Sequence, residues 1–170
     1  MSNKLFKQAM HYLASQPNAV FLGQNVVYDG NVMFNHLEEI PSSQRMELPV
    51  VEELQTGIAL GLSLQGYLPI SIYPRMDFLL RAMDQLVNHL DKLAVMTQGQ
   101  FKPKVIIRTR VGAKTPLDAG PQHTQNHTEA FRLMLKHVKV LRIIVPEGIL
   151  PAYEEAVRLE GSVIVVEQLC

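Results

Sequence analysis

Hydrophobic and polar positions alternate between two periods along this chain. Leu5, Ala9, Met10 and Leu13 share a helical spacing within residues 4–15, and Pro17-Asn18 ends that pattern. Ala19 to Leu22 is a short unbroken apolar run closed by Gly23, as in a buried strand. Residues 24–44 keep neither period and read as a long irregular connection with a turn at Asp29-Gly30. A second helix is expected from Val51 to Gln65, followed by a β-branched strand from Leu68 to Tyr73. From Met76 to Gln98 the pattern predicts one long amphipathic helix, with Phe78, Leu79, Ala82, Met83, Leu86, Val87, Leu90 and Leu93 along one side. A strand from Lys104 to Arg110 leads into a loop at 111–127 rich in Gly, Pro and His. A helix (Thr128–Lys136), a strand (Lys139–Val145), a helix (Ile149–Glu160) and a last strand (Ser162–Glu167) complete the series.

Strands thus alternate with helices, and the strands are Val/Ile-rich runs with no polar face. That pattern predicts an α/β fold: a three-layer, doubly wound, mainly parallel sheet with helices on both faces. A length of 170 residues suits a single domain spanning 1–170, and 47% hydrophobic residues are enough to build its core. Sixteen basic residues balance 16 acidic ones with no run of either sign, which argues against nucleic-acid or membrane-surface binding. The single cysteine, Cys170, can form no internal disulfide and is expected to be a free thiol in a reducing compartment. The first residues lack the apolar core of a signal peptide, and no apolar run reaches the roughly 18 residues of a membrane span. A cytoplasmic protein is expected.

The segment Glu47 to Gly61 (ELPVVEELQTGIALG) is the most informative. Glu52 stands at a helix start just after Pro49, where a carboxylate favours the helix dipole. Gly57 and Gly61 share one face of the helix, at about 1 kcal/mol each relative to alanine; close approach of another helix would offset that. His123 and His127 have the spacing of a metal pair, but no third ligand accompanies them, so no metal site is assigned. No Walker or dinucleotide-type glycine loop occurs.

Several motifs, in order, carry a resemblance. They are Phe21-Leu22-Gly23; Pro49-Val50-Val51-Glu52 with Gly57-Ile58-Ala59; Asp77-Phe78 with Asp84-Gln85-Leu86-Val87-Asn88; Gly120-Pro121-Gln122-His123-Thr124-Gln125; Val140 to Pro146; and Val163 to Glu167. From about Ala19 to Glu167 the chain resembles the transketolase-like pyrimidine-binding domain of the beta subunit of pyruvate and branched-chain 2-oxoacid dehydrogenases. The resemblance implies a stand-alone subunit of a split thiamine-diphosphate (ThDP) enzyme, acting by 2-oxo acid decarboxylation with transfer of the acyl or aldehyde unit. It implies that Glu52 hydrogen-bonds the cofactor's aminopyrimidine and that Phe78 stacks on that ring. It further implies that His123 serves near the reacting carbon, with Gln122 and Gln125 beside it. The diphosphate and its Mg2+ would be held by a separate alpha-like subunit, in a heterotetramer of two chains of each kind or beside a homodimer. Gly57 and Gly61 would lie at the helix contact.

Three positions depart from the family pattern. Gln24-Asn25 replaces an acidic stretch after the first strand, Leu54 replaces a glycine, and the family's C-terminal domain is absent after Cys170. Two further readings follow: a split transketolase-like carboligase acting on a ketose, and a non-catalytic scaffold that keeps the fold. A fragment of a longer protein is a third.

Overall fold

The computed structural model describes residues 2–29, 32–115 and 118–169. Gly30 of the expected turn and Cys170 lie outside the described residues. Six strands form one sheet: β1 (Ala19–Gly23), β2 (Arg45–Glu47), β3 (Leu68–Tyr73), β4 (Ile106–Arg110), β5 (Lys139–Ile143) and β6 (Val163–Glu167). Their order is β2-β1-β3-β4-β6-β5, and every neighbouring pair is parallel. The doubly wound α/β fold expected from the pattern is present.

The strands are apolar throughout because both faces are covered. Phe21, Ile70, Ile72, Ile106, Val163 and Val165 point into one core, with α1 (Ser2–Ala14) and α7 (Ile149–Arg158) packed over it. Leu22, Tyr73, Ile107, Ile164 and Val166 point into the other. That face carries α3 (Glu52–Leu64), the segment from Met76 onward, and α6 (Thr128–Met134).

Two expectations are corrected. Residues 24–44 are followed by an unforeseen edge strand, β2, and contain a short helix, α2 (Val32–Asn35). Three residues are too few to show a period. What holds this region is Glu47 at the end of β2, whose carboxylate accepts the backbone N–H groups of Asn25, Val26 and Val27 at 2.7, 2.8 and 3.0 Å.

The expected long helix from Met76 to Gln98 is broken into pieces. It consists of α4 (Met76–Leu79), a 3-10 turn (Leu80–Ala82), a π-type stretch (Gln85–Leu90) and α5 (Leu93–Met96). The wider turn still buries Leu86 and Leu90, so the apolar spacing survives while the helix type changes. Just beyond it, Asp91 is buried and accepts the N–H groups of Lys136, His137 and Val138, which fixes the chain entering β5.

A buried ionic group sits in the first core. Arg108 on β4 is fully buried and donates through Nε to Glu167 Oε1 at 2.6 Å. The Tyr153 hydroxyl donates to the same oxygen at 2.6 Å. His36, 4% exposed, stacks on Phe6 at 4.7 Å. Arg108 Nη2 lies 2.6 Å from His36 Nδ1, so that nitrogen accepts and the ring is neutral. Burial first, and the Arg108 charge second, push the His36 pKa down from 6.5 to about 3.

That shift fixes a pH dependence. Above pH 6.5 the ring is neutral in both folded and unfolded chains; below it only the unfolded chain takes up the proton until about pH 3 is reached. Stability should therefore fall as pH drops from 6.5 towards 3, and His36→Asn should flatten part of that fall. Urea denaturation at several pH values measures both slopes; parallel curves for the two proteins would refute the assignment.

Candidate functional site

In a parallel sheet the carboxyl ends of all strands meet one edge, and ligands gather where neighbouring strands lead off in opposite directions. Here that point lies between β1 and β3: the chain leaves β1 towards β2, then returns past β1 to β3. Gln24 follows β1, Glu52 opens α3 after β2, and Arg75 and Phe78 follow β3.

Glu52 is 8% exposed and lies in the first turn of α3, where free backbone N–H groups favour a carboxylate. Gln24, also buried, donates from Nε2 to Glu52 Oε1 at 3.3 Å. Gln24 thus presents a neutral amide donor to that carboxylate oxygen. The Tyr73 hydroxyl donates to the Glu52 carbonyl oxygen at 3.1 Å and lies 2.6 Å from Thr56 Oγ1. Burial pushes the Tyr73 phenol up to about 12, so it stays protonated and anchors the first turn of α3 on the sheet.

Phe78 and His123 meet edge to face, with ring centroids 5.5 Å apart and an interplanar angle of 89°. His123 is delivered by the loop after β4, which packs tightly against its own start. A Cβ on Gly112 would come within 1.9 Å of the His123 carbonyl oxygen. The far end of the loop is tied to α4: Asp77 Oδ1 accepts the Gln125 side-chain amide at 2.9 Å and its backbone N–H at 3.3 Å. His123 Nδ1, His127 Nε2 and Asp77 Oδ2 are buried without a hydrogen-bond partner among the described residues. Unpaired buried polar atoms are rare, and two of these lie on the loop and the third on α4, to which the loop is tied.

The remaining candidates fall outside this cluster. Gln122 is exposed and makes no side-chain hydrogen bond among the described residues. Gly57 faces Gln85 of its own chain, whose Oε1 would lie 3.7 Å from an added Cβ. Around a Cβ added at Gly61 nothing lies within 4 Å among the described residues. Leu54 is 49% exposed on the same helix. No group of three or more His, Cys, Asp or Glu side chains is gathered among the described residues. No described helix is long and apolar enough to cross a membrane.

Pattern reasoning did not single out Asp77 as an anchor, Gly112 or Tyr73. It treated Gln24 only as a missing carboxylate. Gly112 carries no sequence signal beyond being a glycine two residues after a strand. The Asp77–Gln125 bond joins residues 48 positions apart, which no local pattern encodes.

The packing at Gly112 has a direct consequence. Gly112→Ala should displace the His123 backbone and break the contact with Phe78, while the sheet stays intact. NMR of the His123 ring reads this: its resonances should shift and broaden, with core methyl resonances unchanged. A His123 spectrum identical to the parent's would show that the loop does not depend on this contact.

Comparison with known proteins places the fold in a family. Residues 1–168 match the model of the transketolase pyrimidine-binding domain. The beta subunit of the pyruvate dehydrogenase E1 component of Rickettsia felis is 30% identical over 110 residues, covering 65% of this chain and 32% of that protein. The 3-methyl-2-oxobutanoate dehydrogenase beta subunit of Mycobacterium tuberculosis is 26% identical over 137 residues, covering 79% and 38%. The matched stretch thus spans about a third of these relatives' length. A solved split-gene transketolase, described as an inactive beta4 tetramer, superposes with a TM-score of 0.71 at 16% identity. That alignment covers 97% of this chain and 50% of the other, and shows a shared fold. With nearly its whole length matched, the chain belongs to the transketolase pyrimidine-binding domain family.

Proposed function

We propose that this chain is the pyrimidine-side subunit of a two-chain ThDP enzyme that decarboxylates a 2-oxo acid and transfers the resulting acyl or aldehyde unit. The observation that carries this reading is Glu52: a buried carboxylate at a helix start, on the carboxyl edge of the sheet, steadied by a neutral amide donor. The residues fit the cofactor's pyrimidine end. Glu52 offers a carboxylate oxygen for a ring nitrogen, Phe78 offers a half-buried ring for stacking, and His123 keeps an unpaired Nδ1 beside it.

When bound, ThDP supplies a carbon nucleophile and an electron sink for the bond next to the substrate carbonyl. Glu52 holds and shares a proton at the pyrimidine nitrogen, a role for which a carboxylate within hydrogen-bond reach is needed. Phe78 orients the ring by stacking, and His123 holds or donates a proton near the reacting carbonyl. Gln122, exposed on the loop ahead of His123, is the outermost of these contacts.

The diphosphate and its Mg2+ are assigned to an alpha-like partner, in an assembly of two chains of each kind. Support for a covering partner comes from the apolar groups left exposed around the start of α3: Val50 (73%), Val51 (47%) and Leu54 (49%). Gly57 and the open Gly61 continue this strip as the place for a partner helix.

Glu52→Gln tests the reading in a mixture with the diphosphate-domain protein encoded nearest to this chain. Turnover of 2-oxo acids, followed by carbon dioxide release, should fall by about 100-fold or more, while co-elution with the partner is unchanged. Turnover equal to that of the parent would remove Glu52 from the chemistry. A stable complex in which even the parent chain fails to support ThDP binding by calorimetry would favour the scaffold reading.

A further inference from the structure

A cavity of about 280 Å³ opens beside the first turns of α1, at the carboxyl ends of β4 and β6. Its lining includes Phe6, Val32, His36, Arg110, Glu167 and Leu169. Phe6 belongs to the core under α1, whereas Glu52 and Phe78 sit on α3 and α4, which pack against the opposite face of the sheet.

Three polar groups in the cavity wall keep unused capacity. His36 is buried and Arg108 donates to its Nδ1, so the neutral ring carries its proton on Nε2. That N–H has no partner among the described residues. Nor does the half-buried Arg110 guanidinium make a hydrogen bond or ion pair among them. Glu167 supplies an acceptor. Its Oε1 already takes Arg108 Nε and the Tyr153 hydroxyl, but Oε2 has only a long contact of 3.4 Å to Arg108 Nη2.

Arg110 and Glu167 are near enough for each charge to act on the other, yet they do not close into an ion pair. A partly dehydrated cation and a buried anion held apart in this way are both left short of contacts. A molecule filling the gap needs an anionic group for His36 and Arg110 and a cationic group for Glu167. An α-amino acid carries both on one carbon, and a guanidinium is well matched to its carboxylate. Phe6, Val32 and Leu169 leave an apolar wall for an aliphatic side chain. Ligand sites commonly hold about 300 to 1,000 Å³, so a cavity of this volume suits a molecule of amino-acid size.

We propose that this cavity is a second small-molecule site, for a free α-amino acid with an aliphatic side chain, its carboxylate on His36 Nε2 and Arg110 and its ammonium on Glu167. The inference goes beyond the proposed function and does not rest on it.

The test uses the full chain, labelled with nitrogen-15, and follows the His36 ring signals by NMR. Leucine is the probe; isocaproate, which lacks the ammonium, and isoamylamine, which lacks the carboxylate, are titrated beside it. The His36 signals should shift saturably with leucine. Each truncated analogue should bind more weakly by about tenfold or more, as the loss of a charged hydrogen bond requires. Arg110→Gln should weaken leucine to a similar extent. Asn35→Trp, at an exposed position on the cavity rim, should block it without altering thermal unfolding, and decides the matter if the arginine variant is unstable. Glu52→Gln should bind leucine as the parent does. No saturable shift overturns the proposal. So does isocaproate binding as tightly as leucine, which would leave an anion site alone, or isoamylamine doing so, which would leave a cation site alone. Unchanged binding in both Arg110→Gln and Asn35→Trp would place leucine elsewhere, and loss in Glu52→Gln would place it in the cofactor cleft; either result overturns the proposal. Neither ThDP nor the partner enters this test, so the proposed function stands or falls separately.

Discussion

A parallel sheet has no hairpins, so each strand must be followed by a crossover that covers one of its faces. In this chain that constraint arranges everything else. Because every neighbouring pair is parallel, the carboxyl ends of all six strands meet at one edge. Gln24 directly follows β1, Glu52 opens α3, Arg75 and Phe78 lie in the turn and helix after β3, Arg110 ends β4, and His123 comes from the long loop between β4 and α6.

The site combines firm and unfinished parts. Glu52 is held from three sides: by Gln24, by the Tyr73 hydroxyl at its carbonyl, and by the helix it begins. His123 is held only through its backbone against Gly112 and through the Asp77–Gln125 tie, leaving its ring nitrogen unpaired. Such an arrangement preorganises the carboxylate and leaves the opposite wall to be completed by whatever binds. The Gln24 amide is consistent with this division, because it holds Glu52 through a neutral donor.

The layers and most strands were legible because burial on both faces writes an unbroken apolar run, as in Val163 to Val166. Glu52 and His123 are singled out in the sequence only by a motif order, since a carboxylate at a helix start and a histidine in a loop are ordinary by themselves. The break in the segment from Met76 to Met96 was not legible: no glycine or proline marks it, and a π-type turn at Gln85–Leu90 leaves the apolar spacing nearly intact. The Arg108–Glu167–His36 group was missed for a different reason. Its members are far apart in the chain, and an arginine within a strand or a histidine in an irregular stretch gives no hint of full burial. The three-residue β2 was too short and too polar to stand out from its surroundings.

The absence of hairpins has a kinetic side. Phe21 pairs with Arg45, Ile106 with Val163 and Lys139 with Val163, so no strand can zip onto its sequence neighbour through a tight turn. Each pairing must first close a long loop, losing chain entropy before contacts compensate, and β6 must insert between β4 and β5 to complete the sheet. Folding should therefore be slow for a chain of this size. Until β6 arrives, the β4 edge with Ile106 and Ile107 stays open, making the half-assembled sheet the form most prone to aggregate during synthesis.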